Sequence, residues 1–234
     1  MAPSRLGPVY AQPMVKSPRR IQREQEILAA TRALFDERGL RDAQIEDIAK
    51  AVGINRAIIY RHFNGKEELF AMTLVGYLNE LDTALTLEDD PEGDPTDRLR
   101  SVTGAFLEFG EKFPAFVDCA HSLLRRRGDE LMAEVSEAVM FRLGRSMTAC
   151  LNHVVEALEA GVKSGDFEVR DPFLLANVFY NQALGGLNLA RLQLTVREGN
   201  PGLPTVDQVS FDEVKSYIVE GAVAMARGVG AQTR

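Results

Sequence analysis

Ile45-Glu46-Asp47-Ile48-Ala49-Lys50-Ala51-Val52-Gly53-Ile54-Asn55-Arg56-Ala57-Ile58-Ile59-Tyr60-Arg61-His62-Phe63 reads as two short helices separated by one glycine. Ile45, Ile48, Ala49 and Val52 recur at helical spacing and fall on one face of the first helix. Ile54, Ile59 and Phe63 turn inward around the second. Gly53 stands where the chain must turn sharply, at a position suited to positive φ. This is the layout of a helix-turn-helix, whose second helix can enter the DNA major groove.

Around this motif the pattern stays helical. Ile27, Leu28, Thr31, Leu34 and Phe35 predict a helix over 21–38 that Gly39 stops. After the Asn64-Gly65 turn a helix is expected from Lys66 to about Leu85. An acidic, proline-bearing loop over 88–96 follows. Further helices are expected over 97–113, 115–127 and 129–163, over 171–197 (opened by Asp171-Pro172) and over 211–227, with 199–204 as a loop. No stretch offers sustained strand alternation. The expected fold is all-α: an N-terminal three-helix helix-turn-helix domain over 21–66 and a C-terminal helical domain over 67–234. Residues 1–20, with four prolines, four basic residues and no acid, read as a flexible basic arm.

The net charge of −7 is unevenly spread. Residues 1–70 hold 12 Lys+Arg against 9 Asp+Glu, whereas residues 71–234 hold 15 against 25. A positive end on an acidic body suits a protein that meets phosphates at one end only. No apolar run reaches the ~20 residues of a membrane span, and the first twenty residues have no stretch of signal-peptide character. Two cysteines, Cys119 and Cys150, are too few for a disulfide framework. A cytoplasmic protein is expected.

The chain resembles the tetracycline-repressor (TetR) family. The residues that carry the resemblance are Ile27-Leu28-Ala29-Ala30, Leu34-Phe35, Arg38-Gly39, Ile45, Ile48-Ala49, Val52-Gly53-Ile54, Ile59-Tyr60-Arg61-His62-Phe63 and Lys66-Glu67-Glu68-Leu69. Two positions depart from it. Ala43-Gln44 replace the usual Ser or Thr cap, and bulky Ile58 stands where a small or polar residue is common. The resemblance implies that residues 67–234 form a ligand-binding and dimerisation domain, and that the protein is a homodimer on double-stranded operator DNA, most simply a repressor. It also implies a small-molecule effector in the C-terminal domain that changes the spacing of the two recognition helices.

The residues expected at DNA are Gln44, Asn55, Arg56, Ala57, Ile58, Tyr60, Arg61, His62 and Lys66. Asn55 would cap the recognition helix. Arg56 can grip guanine O6 and N7, Ala57 and Ile58 can touch thymine methyls, and Gln44, Tyr60, Arg61, His62 and Lys66 carry donors for phosphates. Lys16, Arg19, Arg20 and Arg23 would extend this surface. The ligand-binding candidates are Phe106, Phe109, Phe113, Phe116, Met140, Met147 and Tyr180, with His121, His153, Asn177 and Asn181 as polar anchors. A hydrophobic effector is favoured. A small-residue surface (Ala183, Gly185, Gly186, Ala190) and a stripe of Val214, Ile218, Ala222 and Met225 are candidates for the dimer contact.

Other chemistries find little support. Asp118/His121 and Cys150/His153 are each spaced i, i+3, but no third pair completes a zinc set. No metal or cofactor is expected. There is no Glu-x-x-His pair, nucleophile elbow or glycine-rich phosphate loop, so an enzyme is not expected. The alternatives are a redox- or metal-responsive regulator acting through Cys119 and Cys150, or an activator.

Overall fold

The computed structural model describes residues 17–40, 42–125 and 127–228. Three helices come first: α1 (Pro18–Arg38) and the two short helices α2 (Ile45–Val52) and α3 (Arg56–His62). Ile27, Thr31, Leu34 and Phe35 bury one face of α1 against Ile45, Ile48 and Ala49 of α2 and Ile59 of α3. α1 starts at Pro18, so residues 18–20 of the expected arm are helical and Ser17 stands at the N-cap; residues 1–16, including Lys16, lie outside the described residues.

α4 (Lys66–Glu88) is 23 residues long, about 35 Å at 1.5 Å per residue. It belongs to both halves of the molecule. Near its start Phe70 meets Phe35 of α1 edge to face, ring centroids 5.0 Å apart. Towards its end Leu78, Leu81 and Leu85 are buried in the body. Polar ties reinforce the link to α1. The Tyr77 hydroxyl donates to Asp36 Oδ1 at 2.5 Å, and Arg32 pairs with Glu80.

The body adds α5 (Pro95–Lys112), α6 (Pro114–Leu124), α7 (Gly128–Glu134), α8 (Glu137–Ser164), α9 (Pro172–Leu192) and α10 (Phe211–Ala226). Asp171 caps α9 as its sequence predicts, its carboxylate accepting from Leu174 N at 2.9 Å ahead of Pro172 in the first turn. The helix expected over 129–163 is instead two. Val135 is extended and buried, and Ser136 donates to Glu68 of α4 at 3.0 Å, so the chain breaks there to anchor itself on α4.

A second departure is a hairpin among the described residues, β1 (Leu194–Asn200) paired antiparallel with β2 (Leu203–Gln208). α9 stops at Leu192 because Gln193 takes a left-handed conformation, and the β-branched Thr195, Val196, Thr205 and Val206 then favour strand. Of the stretch expected as a loop, 199–204, only Pro201 and Gly202 form the turn, and the residues on either side belong to the strands.

Of the small residues of α9, Ala183, Gly186 and Ala190 are buried within the chain, whereas Gly185 is exposed. A Cβ on Gly186 would lie 2.9 Å from Ile218, so this glycine lets α10 approach closely. Gly161 of α8 does the same for Phe167, where an added Cβ would fall 2.0 Å from the ring. Phe167 is buried and its ring cannot swing clear. Gly161→Ala is expected to destabilise the fold by about 1–3 kcal/mol, read as a lower urea midpoint. An unchanged midpoint would show that α8 shifts freely at this crossing.

Across the far end of the body runs a buried charge network. Arg98 of α5 donates to both oxygens of Asp89, Nε at 2.8 Å and Nη2 at 3.2 Å, and the two side chains are 4% and 5% exposed. His153 of α8 sets Nδ1 2.9 Å from Asp89 and Nε2 3.2 Å from Asp82 of α4. The network joins α4, α5 and α8.

Candidate nucleic-acid interface and ligand cavity

Gly53 closes α2 with φ 71° and ψ 34°, the left-handed cap that a side chain would strain. Ile54 N then donates back to Ala49 O at 2.9 Å. Asn55 is extended, and its side chain accepts from Ala57 N at 2.9 Å, capping α3. Buried Ile59 and Phe63 fix the inner face of α3. Arg56, Ala57, Tyr60 and Arg61, at helical spacing i, i+1, i+4 and i+5, are exposed on the other side. Gln44 is exposed just before α2, and Ile58 is half-buried.

Several of the expected DNA contacts have neighbours within the chain. His62 is half-buried, its Nδ1 3.5 Å from the Glu24 carboxylate of α1. That nitrogen is buried and lacks a well-aligned hydrogen bond among the described residues. Arg20 is also recruited into the fold, donating to Arg61 O at 3.4 Å. Lys66 is half-buried with its ammonium 4.9 Å from the Phe70 ring centroid. Arg56 is paired with Glu46 of α2, both side chains 59% exposed. Sequence reading overlooked Glu46; its place ten residues before Arg56 across a tight turn was the available signal.

A second feature lies in the body, between α4, α5, α8 and α9. It is a narrow cavity of about 40 Å³. Leu78, Leu81 and Leu85 form one wall, and Val102, Thr103 and Phe106 another. Met147, Cys150, Leu151 and Val154 face Ala176, Phe179, Tyr180 and Ala183 across it.

Of the expected ligand-binding residues, Phe106, Met147 and Tyr180 line this cavity. The others have different work. Phe109, Phe113 and Phe116 stack with one another, and Phe113 and Phe116 with Tyr77, as an aromatic core. Met140 packs against the main core away from the cavity. His121 contacts Asn188 at 2.7 Å, and His153 is held by two carboxylates. Asn177 and Asn181 sit on the exposed face of α9 and donate to its carbonyls at Phe173 and Asn177, both at 2.9 Å. These four polar residues do not reach the cavity because each is satisfied elsewhere.

The chain matches the sequence profile of the "Bacterial regulatory proteins, tetR family" over residues 27–72, which takes in α2 and α3. It is 30% identical over 152 residues to the HTH-type transcriptional repressor KstR2 of Rhodococcus jostii (strain RHA1), covering 62% of this chain and 68% of that protein. The chain belongs to the TetR family. The HTH-type transcriptional activator FasR of Mycolicibacterium smegmatis is 29% identical to this TetR-family chain over 92 residues, 39% of this chain and 42% of that protein. Solved structures share the whole fold. A bacterial regulatory protein of the tetR family from Rhodococcus RHA1 superposes with a TM-score of 0.62 at 18% identity, over 87% of this chain and 96% of that one. RolR, solved in complex with the ligand resorcinol, gives 0.63 at 16% identity over 92% of each chain.

The protein is thus a DNA-binding transcriptional regulator by family. The thiols of this TetR-family chain are poorly placed for redox sensing. Both are buried. Burial, with the nearby Asp118 charge, pushes the Cys119 thiol well above its ordinary range; burial and the Asp82 charge push Cys150 up to about 12. Cys150 donates to Leu78 O at 3.2 Å. Among the described residues no cluster of His, Cys, Asp and Glu could hold a metal, and no helix is long and apolar enough to cross a membrane.

Proposed function

We propose that the chain is a ligand-responsive repressor, acting in the cytoplasm as a homodimer on a pseudo-palindromic operator. Each copy would place one α3 in the major groove of a half-site, the two half-sites about 34–36 Å apart. Arg56 reads a guanine, and Ala57 and Ile58 meet thymine methyls. Tyr60, Arg61, Lys66 and Gln44 hold phosphates, and Asn55 keeps α3 capped. The acidic body turns this end toward the duplex.

One observation carries the ligand response. α4 is a single rigid helix whose first turns belong to the core of the DNA-binding head and whose last turns wall the cavity. A hydrophobic effector that fills the cavity presses on Leu78, Leu81 and Leu85 and thereby on the helix bound to α1 through Tyr77 and Arg32. Release from DNA then follows if the effector favours the conformation that fits the operator less well. For the dimer, exposed Leu189, Leu192 and Tyr217 supply apolar surface on α9 and α10 beyond what the chain buries by itself.

The test is selection of duplexes from a random library by the purified protein, followed by gel shift and mass measurement of the complex. A two-fold repeated sequence bound by two chains is expected. Failure to enrich any sequence, or a complex with one chain on a site lacking symmetry, would overturn the assignment.

A further inference from the structure

The cavity walls contain no charged side chain. Asp82 and His153, on the same helices, are engaged with one another, and His153 also with Asp89. A carboxylate or an amine entering this space would leave water without meeting a counter-charge, a heavy penalty. The sulfur of Cys150 is already committed to Leu78 O. Two hydroxyls remain, those of Thr103 and Tyr180, whose residues are 6% and 8% exposed.

Among the described residues neither hydroxyl makes a hydrogen bond. Thr31, Thr73, Thr83 and Thr86 all donate to the carbonyl four residues earlier, at 2.7, 2.8, 3.1 and 2.8 Å. Thr103, like Thr148 of α8, is helical but makes no such bond. Buried Tyr77 has Asp36, whereas Tyr180 has only the edge-to-face ring of Phe106, 5.8 Å away. Neither oxygen is sealed in the way that the unpartnered His62 Nδ1 is, so each keeps surface that a ligand oxygen can meet, and both residues line the cavity.

We infer that the cavity selects an uncharged hydrophobe bearing a single oxygen function, such as a phenol, alcohol or ketone, whose oxygen is read by Thr103 and Tyr180. The inference rests on the reading of this cavity as the effector site and narrows it to a chemical class. Burial pushes the Tyr180 phenol well above its ordinary range, so it is present as a donor. The free space of about 40 Å³ holds little more than water. The ligand therefore enters by displacing neighbours, and Met147, unbranched and adaptable, is the side chain best able to move.

Three probes with one apolar body test this by calorimetry: 4-propylphenol, propylbenzene and 4-propylbenzoate. The phenol is expected to bind tightest, and the benzoate at least about a hundredfold more weakly. Thr103→Val and Tyr180→Phe should each weaken the phenol roughly fivefold and leave propylbenzene unchanged. Thr103→Ser, which retains the hydroxyl, should preserve phenol binding. Thermal unfolding and binding to the library-selected duplex verify that each variant is folded. The inference falls if the benzoate binds as well as the phenol, if no probe binds, or if both hydroxyl deletions leave the preference for phenol over propylbenzene intact. Phenol binding that depends on the two hydroxyls but leaves the DNA complex unaffected would instead uphold the ligand class and refute the effector role.

Discussion

Arg98→Ala is expected to destabilise the protein by about 3–5 kcal/mol, because it leaves the Asp89 carboxylate buried without its principal cation. The pair is doubly hydrogen-bonded and nearly inaccessible, unlike the exposed pairs elsewhere on the surface. The effect has a pH signature. Burial alone would raise the Asp89 pKa, but hydrogen bonds from Arg98 and His153, together with their charges, outweigh it and hold the carboxyl below its ordinary 3.8. A group depressed in the folded state binds fewer protons there than in the unfolded chain. Its contribution is complete above the unfolded pKa and is lost as pH falls through the lower, folded value. The stability gap between wild type and Arg98→Ala should therefore be widest near neutrality and narrow as pH drops below 3.8. Urea titrations at several pH values measure this. A loss within about 1 kcal/mol, as for a surface pair, or a gap constant with pH, would show that water reaches Asp89 freely.

The helix-turn-helix was legible in the sequence because local rules and tertiary demand agree there. Ile45, Ile48 and Ala49 are buried at helical spacing, Gly53 is left-handed and Asn55 caps α3. The body was legible as helices but not at its irregularities. The hairpin is mostly exposed on both faces, so burial imposes no clean alternation on 194–208. The break at Val135 and Ser136 depends on Glu68, a partner distant in sequence.

The cavity was only partly readable for a related reason. Aromatic content indicates apolar surface but not which side of it is filled, and Phe109, Phe113 and Phe116 proved to be packed against one another. Much of the wall is aliphatic. Leu78, Leu81 and Leu85 have the same spacing as any core stripe, and nothing local distinguishes them as facing a space. His121 and His153 meet partners far along the chain, Asn188, Asp82 and Asp89, whereas Asn177 and Asn181 bond to carbonyls one turn back on α9.

Arg56→Ala is expected to reduce discrimination between the selected duplex and one altered at the contacted guanine by about 1–3 kcal/mol, with little change in affinity for random DNA. The argument begins with Glu46. In the free protein this carboxylate holds the Arg56 guanidinium, and Tyr60 lies beside it with its ring centroid 5.8 Å away. An exposed pair of this kind is worth at most about 1 kcal/mol, so a guanine offering two acceptors can replace it. The pairing also restrains Arg56 at the start of α3, the end of a recognition helix that meets base edges. A phosphate role predicts a different outcome. Loss of a phosphate contact weakens all sequences alike and lowers the slope of log affinity against log salt by about 1. Titrations of both duplexes across a salt series distinguish the two. Uniform weakening with a shallower slope would move Arg56 to the DNA backbone and leave base reading to its neighbours on α3.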